Sequence, residues 1–275
     1  MVEPQLMNTH KPIEILSDDL AQKIAAGEVI ERPASVVKEL LENAIDAHAS
    51  SIEVEIEDGG KKRISVFDNG CGIPDDEVLI ALKRHATSKI TSLDDLWNIQ
   101  TMGFRGEALP SILAVSRFTM ETRAQLGQGK KVYLEGGKNP VASVLESTSR
   151  ILAAQTGTFI QVEDLFYNVP ARLKFLRGRN SESLHIRELL ERIALVYPQI
   201  HFSLKSEQRK TLDLKPALGT NDETHLIRFS EILETHTKEI EPFFLTYEDI
   251  CVEGLFDRNI RANNSRYIYL CVNNR

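Results

Sequence analysis

The most regular hydrophobic pattern in the chain runs from residue 33 to residue 47, where it follows the period of a helix. Apolar residues recur at intervals of three and four and form one arc of the helical wheel, comprising Val37, Leu40, Leu41, Ala44 and Ile45. Glu39, Asn43 and Asp46 cluster on the opposite side. Pro33 in the first turn is typical of a helix start. The pattern therefore predicts a helix over 33–47 with one buried face and one polar face.

Alternating apolar and polar residues predict a strand at 52–56. The turn 58–60 leads to a second predicted strand at 63–67, its hairpin partner. Further strands are predicted at 117–122, 131–134, 158–162, 202–204, 211–214, 243–246, 251–256 and 267–272. Further helices are predicted at 18–26, about 107–115, 183–196 and 223–233, with Gly27 ending the first of them. Residues 13–16 are expected to form either a short strand or a lead-in.

The chain of 275 residues has the length of one large or two ordinary domains. Residues 1–12 are expected to form a flexible tail, because the N-terminus is polar. The composition becomes loop-like near residues 216–221, where we place the boundary between a first domain over 13–216 and a second over 217–275. The formal net charge of -7 argues against nucleic-acid binding by the whole surface but allows a local basic patch. Three cysteines without a C-x-x-C pair favour a reducing intracellular compartment. No apolar run approaches the roughly 18 residues of a membrane span, so no membrane partner is indicated.

The polar face of the 33–47 helix carries the residue types of a site for a metal ion and phosphates. An asparagine among carboxylates suits Mg²⁺, which prefers oxygen ligands and usually needs phosphate to complete its shell. Glu39 precedes Asn43 by one turn and would be placed to activate a water molecule. Glu42 and Asp46 are interpreted as supporting or solvent-facing. The alternative interpretation is an ordinary solvated acidic face.

Asp68 closes a predicted strand and precedes a glycine turn, which places a carboxylate at the end of a sheet. An ionised Asp can accept the amino hydrogen of an adenine. Gly70 and Gly72 would let the backbone approach a ligand closely. Thr158 begins another strand and would supply a hydroxyl beside this carboxylate. The alternatives are an ordinary Asp-Asn-Gly turn and a strand-edge threonine.

Gly103-Phe104-Arg105-Gly106 stands directly before a predicted helix, an arrangement whose amides can bind an anion. Thr87, Ser88 and Lys89 add hydroxyls and a cation nearby in sequence. The segment 70–106 has glycines at both ends, as a hinged lid does, although ordinary surface loops would look the same. Since the chain lacks both G-x-x-x-x-G-K-[ST] and G-x-G-x-x-G, a nucleotide site here would be neither a P-loop nor a Rossmann site.

In this order the motifs resemble those of the GHKL (Bergerat-fold) ATPases: an E-x-x-x-N helix, D-x-G-x-G, a segment ending in G-F-R-G-E-A-L, then G-T. Within that group the chain is similar to the N-terminal region of the MutL family of DNA mismatch repair proteins. The similarity is carried by residues 24–41, by R-H-A-T-S-K at 84–89 and by F-Y-N-V-P-A-R at 166–172. It extends over essentially residues 13–275.

The resemblance implies a role for each motif. Glu39 would be the general base for the attacking water, Asn43 would bind Mg²⁺, and Asp68 would recognise adenine. Gly72 would shape the adenine pocket and Thr158 would support it. The remaining implied contacts wrap the triphosphate of ATP and comprise Thr87, Ser88, Lys89, Gly103, Phe104, Arg105, Gly106, Glu107, Ala108 and Leu109.

The resemblance also implies a fold and a function. The fold would be α+β, a two-layer sandwich of a mixed β-sheet with helices on one face, followed by part of a second α+β domain similar to the ribosomal protein S5-like domain. ATP would order the lid and the N-terminal segment, two copies would then dimerise, and slow hydrolysis would release them. A mismatch recognition protein of the MutS type is the implied partner, in the cytoplasm of a bacterium or the nucleus of a eukaryote.

The sequence departs from the family at one position. The family places a lysine of its second domain on the γ-phosphate, whereas the only lysine after Asn221 is Lys238, which does not match. We therefore expect a fragment with an incomplete second domain, which binds nucleotide but has reduced ATPase activity. The family's C-terminal dimerisation region, with an endonuclease site in some members, would lie outside it. The alternatives are a nucleotide-gated binding module with negligible hydrolysis, or another GHKL branch such as a chaperone, topoisomerase or histidine kinase.

Basic residues in two stretches suggest a surface for weak, non-specific DNA binding. They would contact phosphates in a groove and comprise Arg172, Lys174, Arg177, Arg179, Arg258, Arg261, Arg266 and Arg275. The alternative is that they lie on solvated helix and loop faces.

Overall fold

The computed structural model describes residues 13–90, 101–103, 106–248, 250–259 and 269. Its α-helices are α1 Asp18–Val29, α2 Pro33–Asp46, α3 Val78–Ala81, α4 Ala108–Ala114, α5 Arg150–Ala154, α6 Pro170–Phe175, α7 Arg179–Val196 and α8 Asn221–Leu233. Its strands are β1 Ser51–Glu57, β2 Arg63–Asp68, β3 Arg117–Arg123, β4 Lys130–Glu135, β5 Lys138–Val144, β6 Gly157–Glu163, β7 His201–Ser206, β8 Arg209–Leu214, β9 Ile240–Tyr247 and β10 Ile250–Asp257. The strand predicted at 267–272 lies outside the described residues except for Tyr269.

Eight strands form one mixed sheet in the order β5-β4-β3-β6-β2-β1-β7-β8. β1 and β7 run parallel, and the other described neighbours in this sheet are antiparallel. The predicted hairpin is confirmed, with Glu57 opposite Arg63 across a short 3-10 turn. This order brings the ends of β2 and β6 together, so Asp68 lies directly opposite Thr158.

The main core lies between the sheet and the helices α1, α2, α4 and α7. The predicted alternation explains this arrangement, since Ile52, Val54 and Ile56 of β1 are buried while the residues between them are half-exposed. A small second cluster lies around Phe67 and Ile151, where α5 packs against β3 and β6. The predicted two-layer α+β sandwich is confirmed, with α5 as a short addition that the sequence pattern did not predict.

The predicted end of the first helix at Gly27 is wrong. α1 continues to Val29, and the backbone N–H of Ile30 still donates to the Ala26 carbonyl at 2.8 Å. A Cβ on Gly27 would lie 1.2 Å from Nη2 of Arg172, so the guanidinium packs directly against this residue. The glycine therefore makes room for a close approach and does not end the helix. Residues 13–16 form no strand and are exposed.

Beyond β8, α8 packs against α7. Arg228 of α8 is fully buried, and its Nη2 donates to the carbonyls of Pro198, Ile200 and Lys215 at 2.6–3.2 Å. α8 is thus packed against the part of the chain that contains the eight-stranded sheet, although it lies past the predicted boundary at residue 216. β9 and β10 form a separate two-stranded antiparallel sheet. The domain division and the S5-like character of the second domain stay predictions. No helix among the described residues is both long and apolar enough to cross a membrane.

Candidate functional site

A cleft of about 1250 Å³ opens between α2, the ends of β2 and β6, and the segments around residues 85–89 and 101–110. Every described residue of the predicted site lines it: Glu39, Asn43, Asp68, Gly72, Thr87, Ser88, Lys89, Gly103, Gly106, Glu107, Ala108, Leu109 and Thr158. Phe104 and Arg105 lie outside the described residues. The fold thus brings together motifs that are up to 119 residues apart in sequence, from Glu39 to Thr158.

The orientation of α2 follows from its apolar arc. Val37 and Leu41 are fully buried against the core, which directs the opposite face of the helix towards the cleft. Glu39 lies on that face with its side chain about one quarter exposed, at 23%. Glu42 is not solvent-facing, because it is only 7% exposed and its Oε1 lies 2.9 Å from Nζ of Lys38.

Asn43 and Asp46 together hold one cation. Nζ of Lys89 donates to Oδ1 of Asn43 at 2.9 Å and lies 2.6 Å from Oδ2 of Asp46. Asp46 also accepts the backbone N–H groups of Met102 and Gly103. Of the two roles considered for Asp46, the supporting one is therefore observed, and its carboxylate is mostly buried. The sequence indicates this placement, because a spacing of three residues puts the Asp46 and Asn43 side chains on the same face of a helix.

Asp68 ends β2 with its carboxylate almost completely buried. Oδ1 accepts the backbone N–H of Gly70 at 2.8 Å. Burial raises the pKa of Asp68 to about 6, and hydrogen bonds from the backbone N–H groups of Gly70 and Thr158 oppose that increase. The carboxylate therefore changes its charge near pH 6, within reach of ordinary solution conditions.

Thr158 lies beside Asp68 as predicted, but the contact to the carboxylate uses its backbone N–H. Its hydroxyl instead lies 3.0 Å from the hydroxyl of Thr122. Thr122 is fully buried and also accepts the backbone N–H of Ile73 at 3.0 Å. Sequence reasoning missed Thr122, which ties the 70–73 loop to β3 and which carries no motif of its own.

Gly72 holds the loop after Asp68 close to β3. Its φ of +68° lies in the left-handed region, and a Cβ at this position would come 2.0 Å from the backbone carbonyl oxygen of Arg123. A side chain would therefore be strained by its backbone conformation and would also collide with a backbone atom. Glycine is therefore needed here for close packing against β3, and the part of Gly72 in shaping an adenine pocket stays a prediction.

The other end of the cleft is formed by two segments that touch. The backbone N–H of His85 donates to the Gly106 carbonyl at 3.0 Å, and a Cβ on Gly106 would come 2.5 Å from the Ala86 carbonyl oxygen. Lys89 lies next to Gly103, where an added Cβ would be 3.2 Å from its Nζ. This end therefore combines a cation, the exposed hydroxyl residues Thr87 and Ser88, and glycine-rich backbone, which is suited to an anion.

The oxygen donors in the cleft are those that Mg²⁺ prefers, namely the Asn43 amide oxygen and nearby carboxylates. Among the described residues there is no group of three or more His, Cys, Asp or Glu side chains arranged for a metal ion. A metal here would thus depend on a ligand for much of its shell, as Mg²⁺ does when it accompanies phosphates. The residues fit Mg²⁺ brought in with a nucleotide, and in that state Mg²⁺ would take the place that the Lys89 ammonium has on Oδ1 of Asn43 in this structure.

Comparison with known proteins gives a consistent result. Residues 30–155 match the family model of histidine kinase-, DNA gyrase B- and HSP90-like ATPases. The DNA mismatch repair protein MutL of Geobacter sulfurreducens is 43% identical over 266 residues, 96% of this chain and 42% of that protein. MutL of Geobacillus thermodenitrificans is 42% identical over 264 residues, 96% of this chain and 39% of that protein. The chain therefore spans about two fifths of the length of these relatives.

Among solved structures, the Aquifex aeolicus MutL ATPase domain complexed with ADP matches with a TM-score of 0.64 and 32% identity. The match covers 85% of this chain and 80% of that domain. Another structure of the ATPase domain from the same bacterium's mismatch repair endonuclease MutL matches with a TM-score of 0.60 and 30% identity, over 86% of this chain and 76% of that one.

Proposed function

The chain belongs to the MutL family of DNA mismatch repair proteins, and from this premise we propose that it is an ATP-binding, slowly ATP-hydrolysing switch module. The proposal rests on one observation: the polar face of α2, the buried Asp68 carboxylate and the Lys89 ammonium all line the same cleft. The related Aquifex domain was solved with ADP, which supports a nucleotide as the ligand.

The adenine of ATP would lie at the Asp68 end. A buried carboxylate that has lost its water is a strong acceptor for an exocyclic amino group. Gly72 would allow the base to approach the backbone, and Thr158 would hold Asp68 in place through its N–H. A purine with a carbonyl oxygen at the same place would face the carboxylate with an acceptor, so the site favours ATP over GTP.

The phosphates would lie at the opposite end, near Lys89, Gly103 and Gly106. Asn43 would hold Mg²⁺, which when bound neutralises phosphate charge. Glu39 would accept a proton from the attacking water, because it lies one turn before Asn43 on the same face of α2. Thr87, Ser88, Glu107, Ala108 and Leu109 would complete the phosphate side, together with the predicted residues Phe104 and Arg105.

Asn43→Ala tests the metal assignment. We expect ATP affinity in the presence of Mg²⁺ to fall by about tenfold or more, because a direct ligand oxygen is lost, while affinity measured with EDTA should fall less, because only the contact between Asn43 and Lys89 is lost there. Isothermal titration of native and variant chains with ATP, each with Mg²⁺ and with EDTA, gives the comparison. Equal Mg²⁺ dependence in both chains would remove Asn43 from the metal shell. Failure of the native chain to bind ATP at all would overturn the proposed function.

A second candidate is a nucleotide-gated binding module with negligible hydrolysis. It is kept because the chain spans about two fifths of the length of its MutL relatives, so the turnover of a complete protein does not carry over to it from the similarity alone. In this case ATP would still bind and would still favour one conformation, since a ligand shifts an equilibrium through its contacts alone. The two candidates differ only in turnover of the native chain, which is measured together with the Glu39 variants described below.

The family resemblance extends the proposal to partners. ATP binding would favour association of two copies of the chain, and a mismatch recognition protein of the MutS type would be the partner of the complete protein. Light scattering with a non-hydrolysable ATP analogue reports the first of these directly, and a mass that stays monomeric would contradict it. The compartment would be the cytoplasm, near the nucleoid, in a bacterium, or the nucleus in a eukaryote.

DNA binding would be weak and non-specific, but with fewer basic groups than the sequence suggests. Arg172 contacts the Ile30 carbonyl and the ring of Phe166, and Arg258 pairs with Glu241. Exposed basic residues remain at Lys174, Arg177 and Arg179, whereas Arg261, Arg266 and Arg275 lie outside the described residues.

If these residues contact phosphates, the affinity for duplex DNA should fall steeply between about 50 and 200 mM salt and should not depend on sequence. Fluorescence anisotropy with two unrelated duplexes measures both properties, and salt-independent binding would contradict the assignment.

A further inference from the structure

Asp46, the last residue of α2, receives three hydrogen-bond donors from two separate segments. Oδ2 lies 2.6 Å from Nζ of Lys89 and accepts the backbone N–H of Gly103 at 3.3 Å. Oδ1 accepts the backbone N–H of Met102 at 3.1 Å. The Asp46 side chain is only 10% exposed, so these contacts are shielded from water and from salt. One carboxylate thus joins residue 89 to residues 102 and 103.

These contacts are concentrated on the ligand side of the helix. Asp46 follows Asn43 by three residues, so the two side chains share a face of α2. The Lys89 ammonium lies between them, because it also donates to Oδ1 of Asn43 at 2.9 Å. All four residues, Asn43, Asp46, Lys89 and Gly103, line the cleft.

The stability of α2 itself does not account for an aspartate here. A carboxylate in the last turn of a helix faces the negative end of the helix dipole, which is unfavourable. The last turn of α2 contains no basic residue that would offset this charge. The compensation comes instead from Lys89 and from the two backbone N–H groups, all of which belong to the segments that border the phosphate end of the cleft.

We propose that Asp46 is a positioning residue for the phosphates of the nucleotide: it keeps the Lys89 ammonium and the Met102–Gly103 backbone at the phosphate end of the cleft, also when Mg²⁺ replaces Lys89 on Oδ1 of Asn43. This inference rests on the proposed nucleotide site and adds to it a residue that need not touch the nucleotide. A cation and a loop that are already in place lose less conformational entropy when the phosphates bind. Removing Asp46 therefore weakens recognition of the phosphates and leaves recognition of adenine intact.

The test compares adenosine, ADP and ATP on the native chain, Asp46→Asn and Asp46→Ala, with Mg²⁺ present. Calorimetry measures the nucleotides, and NMR titration measures the weaker adenosine. For Asp46→Ala we expect ATP and ADP to bind about tenfold to a hundredfold more weakly, since a charge-assisted contact and two further hydrogen bonds are lost. Adenosine affinity should change less than about twofold. Asp46→Asn keeps an acceptor oxygen but loses the charge, so its loss should be intermediate.

Asp75→Ala is a matched control. The Asp75 carboxylate also holds a loop, by accepting the backbone N–H groups of Gln128 and Gly129 at 3.2 and 3.1 Å, but Asp75 does not line the cleft. This variant should keep the native ratio of ATP affinity to adenosine affinity. A double variant with Lys89→Met should lose little more than the larger single loss, because the two residues act as a pair.

The possible results distinguish a failure of the proposed nucleotide site from a failure of the role given to Asp46. Native failure to bind ATP would overturn the proposed function. Native binding together with unchanged ATP affinity in Asp46→Ala would overturn only the role of Asp46. Equal losses for adenosine and ATP would also overturn it, because they would indicate general damage to α2. Loss confined to the phosphate-bearing ligands supports it.

Discussion

Glu39→Ala is expected to keep ATP affinity within about threefold of the native chain and to lower ATP turnover by about 10²- to 10⁴-fold. The reason is the position of Glu39. It lines the cleft from the polar face of α2, one turn before the proposed metal ligand Asn43, and its side chain remains partly open to the cleft at 23% exposure. A group that takes a proton only as the reaction proceeds contributes to turnover and little to ground-state binding.

The measurement is phosphate release under single-turnover conditions, with ATP binding measured separately by calorimetry. Glu39→Gln removes the basic group at constant shape and should behave like Glu39→Ala. Glu28→Gln is the control, because Glu28 also lines the cleft but belongs to α1 and has no assigned part in the reaction. If turnover survives both Glu39 substitutions, another group is the base. If the native chain binds ATP without measurable turnover, the binding-module alternative holds.

The sequence predicted the parts of the site that depend on local pattern. The helical period of residues 33–46 determined which face of α2 is buried, and therefore that Glu39 and Asn43 share the other face. The alternation in β1 and the turn at 58–60 predicted its pairing with β2, and with it the position of Asp68 at a sheet end. Both patterns reflect burial of one face of an element, which is a property of each segment by itself.

The rest depended on tertiary contacts that no local pattern records. Gly27 has the appearance of a helix end, yet it lies under Arg172, about 145 residues later in the chain. Thr122 fills a buried hydrogen-bonding position between β3 and the 70–73 loop. β5 contains Pro140 and little alternation, which an edge strand tolerates because one side has no strand to pair with. For Gly27 and Thr122 the partner is distant in sequence, so the constraint appears only once the fold is assembled.

Asp68→Asn is expected to weaken ATP binding by about tenfold or more and, at the same time, to stabilise the ligand-free chain at neutral pH. The first effect follows from loss of a charge-assisted acceptor for the adenine amino group. The second follows from burial. The pKa of Asp68 is raised from 3.8 to about 6 in the folded chain, so ionisation of this carboxyl is unfavourable there. At pH 7 that difference corresponds to about 3 kcal/mol of lost stability, which an uncharged isostere largely avoids.

The stability of the chain and its affinity for ATP should change with pH in opposite directions. Because the folded-state pKa lies above the unfolded value, the stabilising contribution of protonated Asp68 is complete below pH 3.8 and is lost as the pH rises through about 6. The stability gain of Asp68→Asn should therefore be largest above pH 7 and should shrink as the pH falls towards 5. Native ATP affinity should run the opposite way to native stability, constant above pH 7 and falling as the pH drops through about 6, because the protonated carboxyl is a weaker acceptor.

Thermal unfolding and ATP titration of the native chain and Asp68→Asn between pH 5 and pH 8 measure both trends. Asp213→Asn is a control of opposite sign, because hydrogen bonds from His201 and Lys210 lower the pKa of Asp213 and make its ionised form favourable. That substitution should lower the melting temperature at neutral pH and leave ATP affinity unchanged, since Asp213 does not line the cleft. A melting temperature of Asp68→Asn that is lower than native at pH 8 would contradict the account of Asp68 as a carboxylate that remains charged for its ligand at the expense of stability.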